Sequence, residues 1–340
     1  MHVRQFLSIA AAVAASATLV PVLEAQAPPA PPPVTVGGLV YAQWMYQDFP
    51  AAGGERINNF DIKRAYINVI GRLGSGLYTR VTADLYNTPT PGSATDSSRT
   101  FRLKYAYFGY TPSGSDFTFK LGQIHTAWLD WEETLWDYRV QGQMALERGG
   151  YATAADFGGG IDYKLGADRI NGQFTIVNGE GYSKGTGDYR KDAQLRLSAR
   201  VMDTNDSSRV GGIRVTGFGQ MGRYTGGGDR NRYLAMLSYH SKQIALAGEY
   251  AATKDLAVKG TVMSAFGVYK FAASKFALLG RVDLTDPNTS VGNNKQTRLI
   301  GGVSYQVTSN LRLVADLDRV SFEAGTTAHT QGLFQAQVNF

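Results

Sequence analysis

The chain has 340 residues, no cysteine, and 34 Lys and Arg against 28 Asp and Glu, for a formal net charge of +6. Lacking cysteine, an exported chain cannot rely on disulfides and needs a large hydrogen-bonded framework instead. The basic balance points to anionic partners and says nothing about fold; no nucleic-acid partner, cofactor or metal is expected.

The first residues carry one positive charge at Arg4, followed by an Ala-rich uncharged run from Phe6 to Leu23 and then Glu24-Ala25-Gln26-Ala27. This is the layout of a secretory signal. Pro28 disfavours cleavage after Ala27, so residues 1–25 are read as the signal peptide. The competing reading is an uncleaved membrane helix, which Pro21 and the Ala-rich composition disfavour. Residues 26–35, with Pro28 to Pro33 (PPAPPP), form a stiff spacer. Beyond Leu23 no run of 18 apolar residues occurs, so no helix is expected to span a membrane in the mature chain.

Residues 36–340 are read as one all-β domain, a transmembrane antiparallel β-barrel of sixteen strands. The strands are predicted at 36–48, 60–73, 77–88, 100–111, 117–128, 154–166, 169–179, 191–203, 210–224, 231–241, 244–254, 258–272, 276–286, 295–307, 311–323 and 330–340. Many alternate an apolar with a polar face, the mark of a strand between two solvents. Phe101, Leu103, Tyr105 and Tyr107 are assigned to one face, with Arg102, Lys104 and Ala106 on the other. The last strand does the same: Gly332, Phe334, Ala336, Val338 and Phe340 oppose Leu333, Gln335, Gln337 and Asn339. An apolar-faced strand at a chain end would be an aggregation-prone edge unless it closes a barrel in lipid. Short turns such as Gly74-Ser75-Gly76 and Ala273 to Lys275 alternate with longer loops such as 48–59, 88–99 and 179–190. That asymmetry fits short periplasmic turns and long external loops. A propeller would repeat a blade motif, and none is present.

One loop differs from the rest. Asp130 to Ala155 reads DWEETLWDYRVQGQMALERGGYATAA, and Trp128, Trp131 and Trp136 fall within nine residues. Asp130 suits the N-cap of a short helix, and Glu132 and Glu133 suit its first turn. Arg139 suits its C-terminal end, ahead of Gly142. Trp131, Leu135 and Tyr138 at i, i+4, i+7 give that helix an apolar side. With Trp136 they are the expected anchors that fold the loop, about 130–153, into the lumen as a constriction. The alternative places the tryptophans, Trp128 above all, in the outer aromatic girdle. Gly158-Gly159-Gly160 in the next strand either makes room for the loop or merely weakens the strand.

The run from Phe101 to Tyr110 (FRLKYAYFGY), Trp128 to Gly142 (WLDWEETLWDYRVQG), Glu147 to Tyr151 (ERGGY), Ala155 to Gly160 (ADFGGG) and Val177 to Tyr182 (VNGEGY) resembles the phosphate-selective, O and P type porin family. The resemblance covers Phe60 to about Tyr182 and continues more loosely to Phe340. It implies a homotrimeric, sixteen-stranded, anion-preferring channel in the bacterial outer membrane, narrowed by its third external loop. The dense basic ladder of the phosphate-specific members cannot be matched position by position. The terminal Phe340 resembles the tag by which the outer-membrane assembly machinery recognises its clients.

From the faces alone, Arg64, Arg80, Arg102, Lys104, Lys120, Arg196, Arg200, Arg214, Arg281, Arg298 and Arg312 are placed in the lumen. Arg139 and Arg148 are added from the loop. Against them stand Asp84, Asp162, Glu249, Asp283, Asp316 and Asp318. A basic excess focuses positive potential and favours small anionic solutes; phosphate among them is what the resemblance implies. For any single Arg the alternative is an ion pair with a neighbouring carboxylate. No enzyme is expected: His125 (assigned to the apolar face), His240 and His329 lie on different hairpins, and no G-x-S-x-G, H-E-x-x-H or P-loop motif occurs. A structural or adhesive barrel and, more remotely, an outer-membrane hydrolase are the alternatives to a diffusion channel.

Overall fold

The computed structural model describes residues 33–48, 56–87, 99–184, 188–325 and 328–340. The signal-peptide reading and most of the spacer lie outside these residues. Sixteen strands follow in order: β1 Val34–Asp48, β2 Ile57–Gly74, β3 Leu77–Asn87, β4 Arg99–Tyr110, β5 Phe117–His125, β6 Ala155–Leu165, β7 Ile170–Val177 and β8 Asp192–Met202. Then come β9 Gly212–Met221, β10 Asp229–His240, β11 Ile244–Leu256, β12 Val258–Lys270, β13 Phe276–Asp286, β14 Gln296–Gln306, β15 Leu311–Phe322 and β16 His329–Asn339. Each pairs antiparallel with its sequence neighbour, and β1 pairs with β16 to close the barrel.

The period-two pattern becomes two surfaces. Phe60, Phe101, Leu121, Leu195, Leu237, Leu246, Leu317 and Phe334 point outward and are exposed. Gln43, Thr82, Gln194, Thr216, Ser264 and Gln335 point inward and are buried. A closed ladder leaves no unpaired edge, and an apolar exterior of this kind is stable against lipid rather than water. Closure uses the terminal strand as the sequence anticipated. Phe340 N–H donates to Gly38 O at 3.1 Å and Gly38 N–H to Phe340 O at 2.7 Å. The Phe340 ring lies over Gly38, where an added Cβ would come within 2.0 Å of it.

Three expectations are corrected. First, Tyr105 and Tyr107 face inward. Thr82 pairs with Tyr105 but Ala83 pairs with Leu103, so Lys104 is an extra residue on β4. This bulge turns Lys104 and Tyr105 both to the interior and returns Phe108 and Tyr110 to the outside. A period-two reading cannot see the slip, because one extra residue flips every side chain beyond it. Second, β5 stops at His125, so Trp128 has left the wall and the outer girdle. Third, the long–short alternation breaks at β11–β12, which turn within Ala257 at the long-loop end, with Leu256 at φ 57°.

Candidate functional site: a lumen narrowed by an inserted loop

Between β5 and β6 the chain enters the barrel. Thr126 N–H donates to Ala154 O at 3.2 Å and closes the neck of the loop. Helix α1 spans Leu129–Trp136 and helix α2 Ala145–Arg148. The N-cap of α1 is Trp128, not Asp130, and no side chain caps it. Asp130 instead accepts from Arg209 Nη2 at 2.8 Å. Burial alone would raise the Asp130 carboxyl; the Arg209 guanidinium outweighs it and holds the group well below the usual carboxylate range.

The apolar anchors are buried as the helical spacing predicts. Trp131 and Leu135 are 1% exposed, Trp136 0% and Tyr138 2%. Trp128 joins them, its ring 5.5 Å from Phe218, and Trp136 meets Phe266 at 5.3 Å. Each buried indole contributes ~2–3 kcal/mol to holding the loop. Polar ties fix its position. Tyr138 Oη lies 2.7 Å from Ser304 Oγ, and Gln335 Nε2 donates to Val140 O at 3.0 Å. Arg312 Nη1 donates to Asp137 O at 2.6 Å, and Arg281 Nη1 to Gln143 O at 3.1 Å. The loop therefore lies on the interior of β8 to β16 and faces β2 to β4 across the lumen. The Gly158-Gly160 run does not make room for it. A Cβ at Gly158 would strike Ile176 O at 2.1 Å, and one at Gly160 would meet Phe174 O at 2.9 Å, both on β7.

The thirteen basic candidates divide by partner. Nine are ion-paired: Arg102 with Asp84, Lys120 with Asp162, Arg139 with Glu133 and Glu147, Arg148 with Asp283, Arg200 with Asp168 and Asp203, Arg214 with Asp168, Arg281 with Asp283, Arg298 with Asp318 and Arg312 with Asp137. Arg139 is placed in the lumen from the loop, with an ion pair as the alternative, and the ion pair is what forms. Its Nε and Nη2 are held at 2.6 and 2.7 Å by two loop carboxylates, which no strand register could foretell. Arg281 and Arg214 are sealed from solvent, beneath the loop and on the wall at the short-turn end. Among the described residues, Arg64, Arg80, Lys104 and Arg196 have no carboxylate within ion-pairing distance. Their partners are neutral. Arg64 Nη1 and Lys104 Nζ both donate to Tyr66 Oη, the latter at 2.6 Å. Arg80 Nη2 donates to Asn68 Oδ1 at 2.9 Å, and its Nη1 lies 3.2 Å from His125 Nε2. Arg196 Nη1 donates to Asn171 Oδ1 at 2.9 Å and stacks on Trp131 with Cζ 4.3 Å from the ring. Arg64, Arg139, Arg148 and Arg298 line one cavity of about 310 Å³ beside the loop.

Sequence reasoning left Tyr66 unassigned, put His125 on the wrong face and did not pair Glu132 with Glu249. Tyr66, which bridges Arg64 and Lys104, lies on β2 and carries no sequence signal that separates it from the other tyrosines. His125, assigned to the apolar face, is buried in the interior and stacks on Tyr105 at 3.9 Å between ring centroids. Glu132 and Glu249 form a carboxyl pair between α1 and β11, both fully buried. Trp128 Nε1 donates to Glu132 Oε2 at 3.0 Å. The sequence places Glu249 in the lumen and Glu132 in the helix, but their meeting depends on where the loop seats. Burial pushes the Glu132 carboxyl up to about 7, the Arg281 guanidinium offsetting only part of it. The lodged loop therefore binds a proton between the ordinary pKa of 4.5 and about 7 that a detached loop would not. Attachment is strongest below about pH 4.5 and weakens as pH rises through this window. Thermal unfolding in detergent should accordingly give a higher midpoint at pH 5 than at pH 8. Glu249→Gln should flatten that dependence and raise the midpoint at pH 8.

No family model and no curated protein matches the chain. Solved structures do. The anion-selective porin from Comamonas acidovorans superposes with a TM-score of 0.62 at 14% identity, covering 90% of this chain and 99% of that one. OprB of Pseudomonas putida gives 0.68 at 10% identity, covering 90% and 94%. A loop-deleted OmpT, an outer-membrane protein of Vibrio cholerae, gives 0.63 at 15% identity, covering 90% and 99%. The fold is that of the outer-membrane porins. Identities this low establish the architecture and nothing finer.

Proposed function

We propose that this chain is an outer-membrane channel for passive diffusion of small hydrophilic solutes, with a preference for anions such as phosphate. The observation that carries the reading is the set Arg64, Arg80, Lys104 and Arg196: four interior cations whose hydrogen-bond partners are neutral. Three of them stand on adjacent strands β2 to β4, opposite the inserted loop. In a narrow passage with low-dielectric walls, uncompensated positive charge lowers the energy of an entering anion and raises that of a cation. The nine paired cations contribute little net field. The resemblance of Phe101–Tyr182 to phosphate-selective porins supports the same preference, and a solved neighbour is described as anion-selective. A homotrimer in the outer membrane, exported by a cleaved signal and assembled through the Phe340 terminus, completes the proposal; one of the neighbours is described in trimer form.

Catalysis is disfavoured by the histidines. His125 contacts Arg80 and lies 4.0 Å from Asp130, and His240 Nδ1 pairs with Asp206. Neither ring hydrogen-bonds to a hydroxyl that could act as a nucleophile among the described residues.

The test is the reversal potential of single channels in a salt gradient. Wild type should favour anions. Arg64→Gln, Arg80→Gln and Lys104→Gln combined should lower the anion-to-cation permeability ratio about tenfold while conductance stays within about twofold. An unchanged reversal potential would overturn the anion reading and leave the channel in place.

A further inference from the structure

At the short-turn end of the lumen lies a second cavity, of about 550 Å³, bounded by the β4–β5 and β6–β7 turns and by the N-terminal end of α1. Its lining carries five cations, Arg80, Lys120, Lys164, Arg196 and Arg209, against three carboxylates, Asp116, Asp130 and Asp162. Lys120 is spoken for by Asp162 and Arg209 by Asp130. Arg80 and Arg196 are not.

These two guanidiniums are fixed in place by neutral partners on neighbouring strands. Arg80 Nη1 lies 3.2 Å from His125 Nε2. The carbonyl of His125 accepts from Gln173 Nε2 at 3.1 Å, and Gln173 sits opposite Arg196 in the β7–β8 register. Arg196 is 5% exposed, its Nε has no partner, and Trp131 backs its planar face. A buried guanidinium with an orphaned N–H leaves a donor unsatisfied unless an acceptor arrives. Paired N–H donors of a rigid fork match a carboxylate.

The remaining wall is aromatic. Tyr78 and Tyr107 line the same cavity, edge-to-face with centroids 6.1 Å apart. Faces of this kind hold a flat apolar body, and the volume is of the size that encloses a small organic molecule rather than a bare inorganic ion. From this juxtaposition we infer that the short-turn half of the lumen is a binding site for small aromatic carboxylates, gripped by Arg80 and Arg196 and resting against the Tyr78–Tyr107 corner. The inference rests on the channel reading and adds a solute class and a place to it.

The experiment uses the full-length channel in planar bilayers, with benzoate, acetate or inorganic phosphate added on the short-turn side of an open channel in chloride. Benzoate should block the current saturably, at a half-blocking concentration at least tenfold below that of acetate or phosphate. Arg196→Gln should raise the benzoate value at least tenfold. Because Arg196 also packs on Trp131, a second variant guards against loss of folding. Tyr78→Leu keeps both guanidiniums and should bring benzoate down to the acetate level. Equal block by acetate and benzoate would overturn the aromatic class, and preferential block by phosphate would replace it with an inorganic oxyanion. If wild type shows anion preference but no saturable block, the site is refuted alone; if it shows no anion preference, the proposed function fails with it.

Discussion

Deleting Glu133 to Ala145 is expected to raise single-channel conductance by roughly twofold or more, because the segment occupies lumen cross-section that would otherwise carry ions. The segment includes Leu135, Trp136, Tyr138 and Met144, all buried between the barrel walls. Its removal clears the passage opposite Arg64 and Lys104 without touching a strand. The excised charges are Glu133 and Asp137 against Arg139, a net of −1. Anion preference should therefore persist even as conductance climbs. The deletion should still run as a heat-modifiable barrel on gels, since α1 and α2 add no rung to the closed ladder. Trp136→Ala is the milder companion. It removes a 0% exposed side chain and ~3–5 kcal/mol of loop attachment, and should show as current noise from a loop that leaves its seat. A deletion with unchanged conductance would refute the constriction and leave the barrel untouched.

The second large effect concerns assembly. Gly122 and Gly158 are direct partners across β5 and β6, flanked by Tyr107 on β4 and Val177 on β7. Gly122 has φ +126°, outside the range of ordinary side chains, and a Cβ there would lie 2.3 Å from Ala106 O. A Cβ on Gly158 would lie 2.1 Å from Ile176 O. Both obstacles are backbone, so no rotamer change relieves them. The row sits three residues before β5 ends at His125. Gly122→Val and Gly158→Val should each cost several kcal/mol. Each should abolish the heat-modifiable species in refolding trials, whereas Gly248→Ala, on the open exterior with nothing within 4 Å, should not. Wild-type folding of either valine variant would show that the row can spread.

The sequence by itself determined the barrel. All sixteen strands lie within three residues of their expected bounds, because a period of two with one apolar and one polar face is a local signal written residue by residue. The Trp-rich loop carries a local signal as well, Trp131, Leu135 and Tyr138 sharing one side of a helix too apolar to remain in water, although the sequence left a girdle position open as the alternative. The tertiary structure decided what the local signal could not carry. The Lys104 bulge depends on how β3 meets β4, and it moved Tyr105 and Tyr107 from the outer to the inner surface. Which cations keep their charge to themselves depends on which carboxylate lies across a strand pair or on the loop. That is why Arg139, Arg281 and Arg298 proved neutralised while Arg64, Arg80, Lys104 and Arg196 did not. Alternation is fixed by covalent geometry along one chain, whereas ion pairing and register are fixed between segments that meet only when the barrel closes.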